Sequence, residues 1–405
     1  MQLKHFEMRF VCILILLSSS LIFFPCNAAH AQTLQFVLKP GRLIDHLDNF
    51  SEGLACAGTN SQYGYVDTNA NWAIPARFSE AGSFHEGMAR VGMTDKAYHT
   101  RYGFIDRLGK LCIPFQYEEA HDFSAGLAAV KKGSSWVYIN KSGAVVLNSS
   151  YIFKRQIVNE AEKDEREIDE PQDFNDGLIV MRQGNLWGYA DSTGKMIIPY
   201  QFRFASGFSD GMARVGDVND ESDICYIDKN GKIVIRINAI HGEDFHDGMA
   251  AFEIKGPGSL LSDGAWSLWG FMDKQGHVVI PPQYSEEPRS FDQGISFLQV
   301  NGHAGNNGDG FIRMIDRAGG VTGKILLCNS LKKCIYDSGL SFSEGLLPVR
   351  LNDLWGYINA AGEWVIQPIF LTALPFRDGL AIVETDSGEL AIIRNPLKTR
   401  YRMPL

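Results

Sequence analysis

Phe174-Asn175-Asp176-Gly177 leads into Leu178–Arg182, then Leu186-Trp187-Gly188-Tyr189-Ala190-Asp191, Ser192-Thr193-Gly194 and Lys195-Met196-Ile197-Ile198-Pro199. A linker, Tyr200–Gly207, then delivers the chain to Phe208, where the same order of residues begins again. Each apolar run in this unit is short, too short for a free-standing helix and typical of a strand. Phe-x-x-Gly followed by Leu, Met or Ile recurs nine times, at Phe50, Phe84, Phe123, Phe174, Phe208, Phe245, Phe291, Phe342 and Phe376. Successive spacings are 34, 39, 51, 34, 37, 46, 51 and 34 residues, so 34 is the basic unit and the longer gaps carry insertions.

Local chemistry predicts three strands per unit. Ala213 and Val215 share one strand face while Arg214 projects to the other, and Ala89-Arg90-Val91 alternates likewise. Asp-x-x-Gly joins the second strand to the third, as at Asp106–Gly109, Asp228–Gly231 and Asp273–Gly276. Asp favours the first position of a type I turn, and Gly accepts the positive φ that closes it. Asn140 and Asn359 replace the Asp in two copies, and Ala70 stands where Gly is expected, which predicts a strained or differently shaped turn there. The Pro after the third strand lacks an N–H and is expected to end the pairing. The recurrent Phe and Trp are expected to fill the space between units, at roughly 4–6 kcal/mol of burial per aromatic before entropy.

Related segments are Tyr63-Gly64-Tyr65, Tyr102-Gly103-Phe104, Trp269-Gly270-Phe271 and Trp355-Gly356-Tyr357, with apolar-Pro segments ending at Pro75, Pro114, Pro281 and Pro368. The pattern resembles the bacterial WG repeat family from about Phe50 to Arg394, best in the copies that keep Trp187, Trp269 and Trp355. It is degraded in copy five (Ile224-Cys225) and copy seven (Ile312-Arg313), and copy nine stops after one hairpin, as a terminal cap would. The resemblance implies a β-rich repeat scaffold and brings no general catalytic residues.

The expected fold is all-β: a tandem array of about nine three-stranded meanders, open and elongated or curved, because one unit cannot cover its own apolar face. The alternative is a closed β-propeller, a form that typically has four to eight four-stranded blades. The expected layout is an export signal over 1–31, a cap segment over 32–49, eight repeats over 50–375 with insertions near 154–171, 256–265 and 301–310, and a partial ninth repeat with a C-terminal cap over 376–405.

Lys4 and Arg9, the apolar Phe10–Phe24 and the small-x-small Ala29-His30-Ala31 read as that signal. The mature chain is expected to be soluble, periplasmic or secreted, without a stable membrane span. Cys328 and Cys334 flank a short polar stretch and are candidates for a disulfide in an oxidising compartment, or for two reduced thiols; Cys56, Cys112 and Cys225 occupy small or apolar repeat positions and are expected to pack.

Little in the chain looks like chemistry. Gly207-Phe208-Ser209-Asp210-Gly211 matches a nucleophile elbow in letters, but it is the repeat's own Phe-x-x-Gly, with no strand-to-helix context. His241 and His246 flank Glu243 and Asp244 with no standard zinc spacing, and Asp217–Glu221 lacks the features of an EF-hand loop. Asn159–Pro171 holds seven acids and two bases and reads as a solvated loop. No catalytic, cofactor or metal residues are expected. The net charge of −9 argues against nucleic acid as partner. The expected function is a non-enzymatic scaffold binding a protein or a cell-envelope glycan, with Trp187, Trp269 and Trp355 as ligand-face or core aromatics. A structural spacer and an envelope-polymer hydrolase are the alternatives.

Overall fold

The structure is a computed structural model that describes residues 34–39, 44–148, 153–159, 164–170, 172–216, 223–256, 267–300, 311–326, 342–351 and 353–398. The second repeat shows the unit: Glu80–His85, Met88–Thr94, Thr100–Asp106 and Leu111–Tyr117 form one antiparallel meander. The expected three strands are therefore joined by a fourth. It comes from the linker ahead of the Phe, and it is only two residues long in five blades, as at Glu119–Ala120 and Phe204–Ala205. Blades four, seven and eight have three strands among the described residues.

The blades close into a ring. Copy nine supplies Thr372–Ala373, Leu380–Glu384 and Leu390–Arg394, and its fourth strand is the N-terminal Phe36–Leu38. Phe36 pairs with Ile393 and Leu38 with Ile392, and the Arg394 amide donates to the Gln35 carbonyl at 2.9 Å. Nine apolar cores follow, each shared by two successive blades. The last joins Leu47, Phe50, Ala55 and Val66 of blade one to Leu380, Ile382 and Ile392 of blade nine, with Leu38 in its midst. The closed propeller is thus the arrangement adopted, and the open array is set aside. The physical reason lies in the segment ahead of Phe50: instead of capping an end, Phe36–Leu38 completes blade nine and His46–Leu47 begins blade one, so the apolar faces of the first and last blades cover each other.

All nine signature phenylalanines share one environment. In seven copies the aromatic at the position after the repeat's Gly packs against the Phe of the next blade, edge-on at 4.8 Å for Tyr65–Phe84, Tyr189–Phe208 and Phe271–Phe291, while Phe342 stacks on Phe297 and Phe50 meets the aliphatic face of blade nine. The Tyr hydroxyls reach on to a backbone carbonyl of that blade: Tyr65 to Gly82, Tyr226 to Glu243 and Tyr357 to Leu374, each at 2.7 Å. Burial pushes all three phenols up, and they stay neutral donors.

The WG glycine and the Pro explain each other. Tyr102 pairs with Tyr117 and Phe104 with Ile113, so two residues on one strand face four on the other, and the fourth strand bulges at Pro114. A Cβ on Gly103 would lie 2.4 Å from the Ile113 carbonyl oxygen. The Pro therefore does not end the strand as expected: it sits in the bulge, where its missing N–H breaks no ladder bond, and pairing resumes beyond it. The Asp-x-x-Gly turns form as expected: the Asp106 carboxylate accepts from the Leu108 and Lys110 amides, and Gly109 has φ 78°. Ala70 keeps the same turn shape at φ 61°, so strain is the outcome there.

Within the acidic insertion, Phe153–Asn159 and Asp164–Glu170 pair as an antiparallel hairpin where a loop was expected. Residues 1–33, 257–266, 301–310 and 327–341 lie outside the described residues; with them lie the export signal, two of the insertions and Cys328 with Cys334.

Candidate functional site

Strand direction gives the ring two unlike faces. In a meander, the turn between strands one and two and the turn between strands three and four emerge at the same edge. These are Phe-x-x-Gly and Asp-x-x-Gly, and both are constant in length. The connections between strands two and three, and from one blade to the next, emerge at the opposite edge. The long spacings arise there: 148–172, 256–266, 300–311 and 326–342 all join strand ends on that side.

The constant face is a belt that sequence reasoning missed. The residue before each Phe-x-x-Gly glycine has positive φ, 54° at Glu52 and 55° at Asp210, and the Gly follows near 80°. This is a type I′ turn, for which Asp-Gly is a standard signal. In seven copies the residue is acidic, and its carboxylate accepts from the glycine amide of the next blade. Glu52 binds Gly87 at 3.0 Å, Glu86 binds Gly126 at 2.9 Å, Asp176 binds Gly211 at 2.6 Å, and Asp378 closes the circle on Gly53 at 2.8 Å. Gln293 reaches Gly345 at 3.3 Å, and only Ala125 lacks the group to reach its neighbour. Cations from the Asp-x-x-Gly turn of the following blade brace the belt, Arg317 at 2.8 Å from Asp247 and Lys141 at 3.3 Å from Glu86. Burial tends to raise the Asp247 carboxyl, but the Gly294 amide and Arg317 outweigh it and hold the group below its ordinary value. Ser209, the serine of the elbow-like motif, donates to the Phe245 carbonyl at 2.6 Å, as Ser51 does to Phe84 and Ser124 to Phe174. It is a rivet between blades. The acid in Phe-x-Asp-Gly was legible; reading the Gly alone hid it.

A cleft of about 740 Å³ opens across blades two, three and four. Its walls include His85, Arg90, Glu119, His121, Asp122 and Asp173, with Tyr102 and Trp136 between them. Alternation on the second strand of blade two aims Arg90 toward blade three, and its guanidinium lies over the Tyr102 ring of its own blade at 5.4 Å. The Tyr102 hydroxyl donates to Glu80 at 2.5 Å, and burial together with that bond pushes the phenol up to about 12. Arg90 Nε and Asp122 Oδ1 stand 3.7 Å apart, too far for a hydrogen bond, and neither atom has another partner among the described residues. His85 Nε2 lies 3.6 Å from the other Asp122 oxygen. Blades five and six repeat the pair as Arg214 and Asp244, but there Ser206 donates to Asp244 at 2.8 Å. Blade two has Gly82 at that place, so its Asp122 lacks this donor.

Of the tryptophans singled out in the sequence, Trp269 is buried in the core between blades six and seven. Trp187 and Trp355 are half-buried and pack against their own interblade cores. Trp136, which was not singled out, borders the cleft with its ring 5.1 Å from that of His121. Cys56 and Cys225 are buried as expected, but Cys112 is exposed, because it points outward from the fourth strand of its blade. His241 and Glu243 meet at 2.7 Å on the surface. No helix among the described residues is long and apolar enough to cross a membrane.

The fold is thus a closed, propeller-like ring of all-β repeats. The family described as WG containing repeat matches residues 63–96, 102–136, 187–216, 269–302, 331–355 and 355–387, and the chain is a WG-repeat protein. No curated protein matches it. Among solved structures, a crystal structure of the eukaryotic initiation factor is 12% identical, covering 87% of this chain and 91% of that one at a TM-score of 0.49. The β-propeller domain of the Trilobed protease from Pyrococcus furiosus is 10% identical, covering 68% and 92% at a TM-score of 0.34. Hsv2p of Kluyveromyces lactis is 11% identical, covering 71% and 99% at a TM-score of 0.31.

Proposed function

We propose that this chain is an exported, non-enzymatic scaffold that holds a cell-envelope glycan in the cleft across blades two to four. The observation that carries the reading is the cleft itself. Its 740 Å³ falls within the range of small-ligand sites, and it opens beside the apolar cores that join blades two to three and three to four. Its walls offer donors and acceptors of both signs beside two aromatic rings, which suits a polyhydroxylated ligand better than an apolar one. The weakly held Arg90–Asp122 pair can turn toward a ligand without giving up a hydrogen bond. Export rests on the basic and apolar start of the chain followed by Ala29-His30-Ala31. The non-enzymatic reading rests on the structural roles of Ser209 and the turn aspartates.

A protein partner is the second reading. It is favoured by the gathering of the long connections on one face, since recognition on rigid scaffolds concentrates in variable loops. Calorimetric titration of the mature chain with peptidoglycan fragments and envelope oligosaccharides tests the first reading. An Arg90→Ala/Asp122→Ala variant is expected to lose at least tenfold in affinity while keeping its melting temperature within a few degrees. Undiminished binding by that variant, or no saccharide binding by the parent, rejects the cleft and leaves the protein reading standing. Release of shortened saccharides during incubation would reject the non-enzymatic part.

A further inference from the structure

Three metal-ligating side chains meet in blade one by strand register. Leu47 pairs with Ala57 and His46 with Gly58, and the Asp48 amide donates to the Cys56 carbonyl at 2.9 Å. That register sets Asp48 opposite Cys56, and the period of two puts His46 on the same side of the sheet as Asp48. All three side chains therefore face blade two, while Leu47 and Ala57 turn to the core shared with blade nine. His46 Nε2 and Asp48 Oδ2 are 3.1 Å apart, and the ligand atoms of all three residues lie within 4.8 Å of one another. Cys56 Sγ lies at the back, buried, 3.6 Å from the Ala81 carbonyl oxygen of blade two. The His46 ring is braced edge-on by Tyr63 at 5.2 Å. His46 and Asp48 remain about two-fifths exposed, so the cluster is open on one side.

We infer that His46, Asp48 and Cys56 form a binding site for one borderline divalent transition ion, Zn²⁺ first among them. Nitrogen, carboxylate and thiolate are the donors such an ion prefers, and three protein ligands with one open position is the usual form of an accessible zinc site. Bond lengths of about 2.0–2.3 Å place the ligands of a tetrahedral ion roughly 3.5 Å apart, so rotation of the half-exposed His46 and Asp48 by about 1 Å closes the set. On binding, the Cys56 thiol gives its proton to solvent as the metal–sulfur bond forms, and the fourth position is left to water or to a group from outside. The repeat frame strengthens the assignment. Cys56 occupies the position held by Arg90 in copy two and Arg214 in copy five, the residues that carry charge into the next interface. Copy one places a soft ligand at that position, beside an imidazole and a carboxylate that the first strand supplies.

The probe is Co²⁺ alone, titrated into the metal-stripped full-length mature protein under reducing conditions, followed by Zn²⁺. One equivalent of Co²⁺ is expected to produce a thiolate-to-cobalt charge-transfer band that stoichiometric Zn²⁺ abolishes. Cys56→Ala and His46→Ala should each remove the band, Asp48→Asn should weaken binding at least tenfold, and Cys112→Ala should leave it intact. Circular dichroism of the metal-free variants guards against unfolding; if Cys56→Ala is unstable, the half-exposed His46→Ala decides alone. No band in the parent at millimolar Co²⁺, or a band that survives in a folded Cys56→Ala or His46→Ala protein, overturns the proposal.

Discussion

Removing the Leu38 side chain tests whether the ring is closed, because Leu38 belongs to a strand that has no role in an open array. Its residue pairs with Ile392 at the far end of the sequence, and its side chain is 1% exposed, amid Leu47, Phe50, Val66, Leu380 and Ile382. Leu→Ala at such a site costs about 3–5 kcal/mol, from lost transfer energy and the cavity left behind. The matched control is Leu147, on the fourth strand of blade three, 2% exposed and paired with Tyr138. In a closed ring, Leu38→Ala and Leu147→Ala should lower the free energy of urea unfolding by similar amounts, each about 3 kcal/mol or more. Leu38→Ala should also expose the amides of Leu390–Arg394 to faster hydrogen exchange, since their outer partner strand loosens. A Leu38→Ala protein as stable as the parent, beside a destabilised Leu147→Ala, would refute closure through the N-terminal strand and with it the ring.

Gly103→Ala should be far worse than Gly87→Ala. The first places a Cβ 2.4 Å from a backbone carbonyl oxygen and should cost more than about 3 kcal/mol. The second meets open space at φ 80° and should cost only about 1–2 kcal/mol, read from the same denaturation curves. Ala125→Asp should supply the missing belt bond to the Gly177 amide and raise stability by about 0.5–1.5 kcal/mol; an unchanged melting temperature counts against the belt as a stabilising element. Asp247 adds a pH dependence of definite sign. Its carboxyl is held below the ordinary aspartate value in the folded protein, so its stabilisation is complete above that value and fades as pH falls through the lowered folded one. Asp247→Asn should therefore flatten the acid limb of the stability–pH curve between those two values, and an unaltered limb would show that the carboxylate contributes nothing there.

The repeat unit was legible because each of its signals has a local cause. Asp106 and Gly109 make their turn from their own side chain and φ, and Ala213-Arg214-Val215 alternates because one face is buried. Closure was not legible, because the strand that makes it, Phe36-Val37-Leu38, is three residues long and resembles no part of the repeat. Nothing local distinguishes such a segment from a cap: its meaning comes from partners more than 350 residues away. The Pro bulge was misread for a related reason. The rule that Pro ends a strand assumes a regular ladder, and only the facing Gly64 or Gly103 reveals that the ladder is interrupted on both sides at once. The cleft and the His46–Asp48–Cys56 cluster depend on pairing register and on neighbouring blades, so residue spacing along one copy could not find either. The acid before the Phe-x-x-Gly glycine is the exception, Asp in four copies and Glu in three, a signal overlooked because the motif was read from its Phe and Gly alone.

The belt and the variable face account for why the repeat tolerates insertions of up to 17 residues beyond its unit without losing the ring. Blade-to-blade position is set at the constant edge, by a carboxylate–amide bond and an aromatic pair in seven copies each and a serine–carbonyl bond in four, all within a few residues of the Phe. A longer connection at the opposite edge leaves these bonds in place. Lengthening a flexible loop adds only about 0.6 kcal/mol per doubling, less than the net worth of one hydrogen bond at the constant edge. Copy three is the informative case. It carries one of the longest insertions and also the one belt residue, Ala125, without a side-chain acceptor, and the cleft opens beside it. The belt bond is thus missing at a junction that the cleft reaches, where the Ser124–Phe174 carbonyl bond remains. Ala125→Asp therefore changes the fastening of that one junction and leaves the eight side-chain bonds of the rest of the belt as they are.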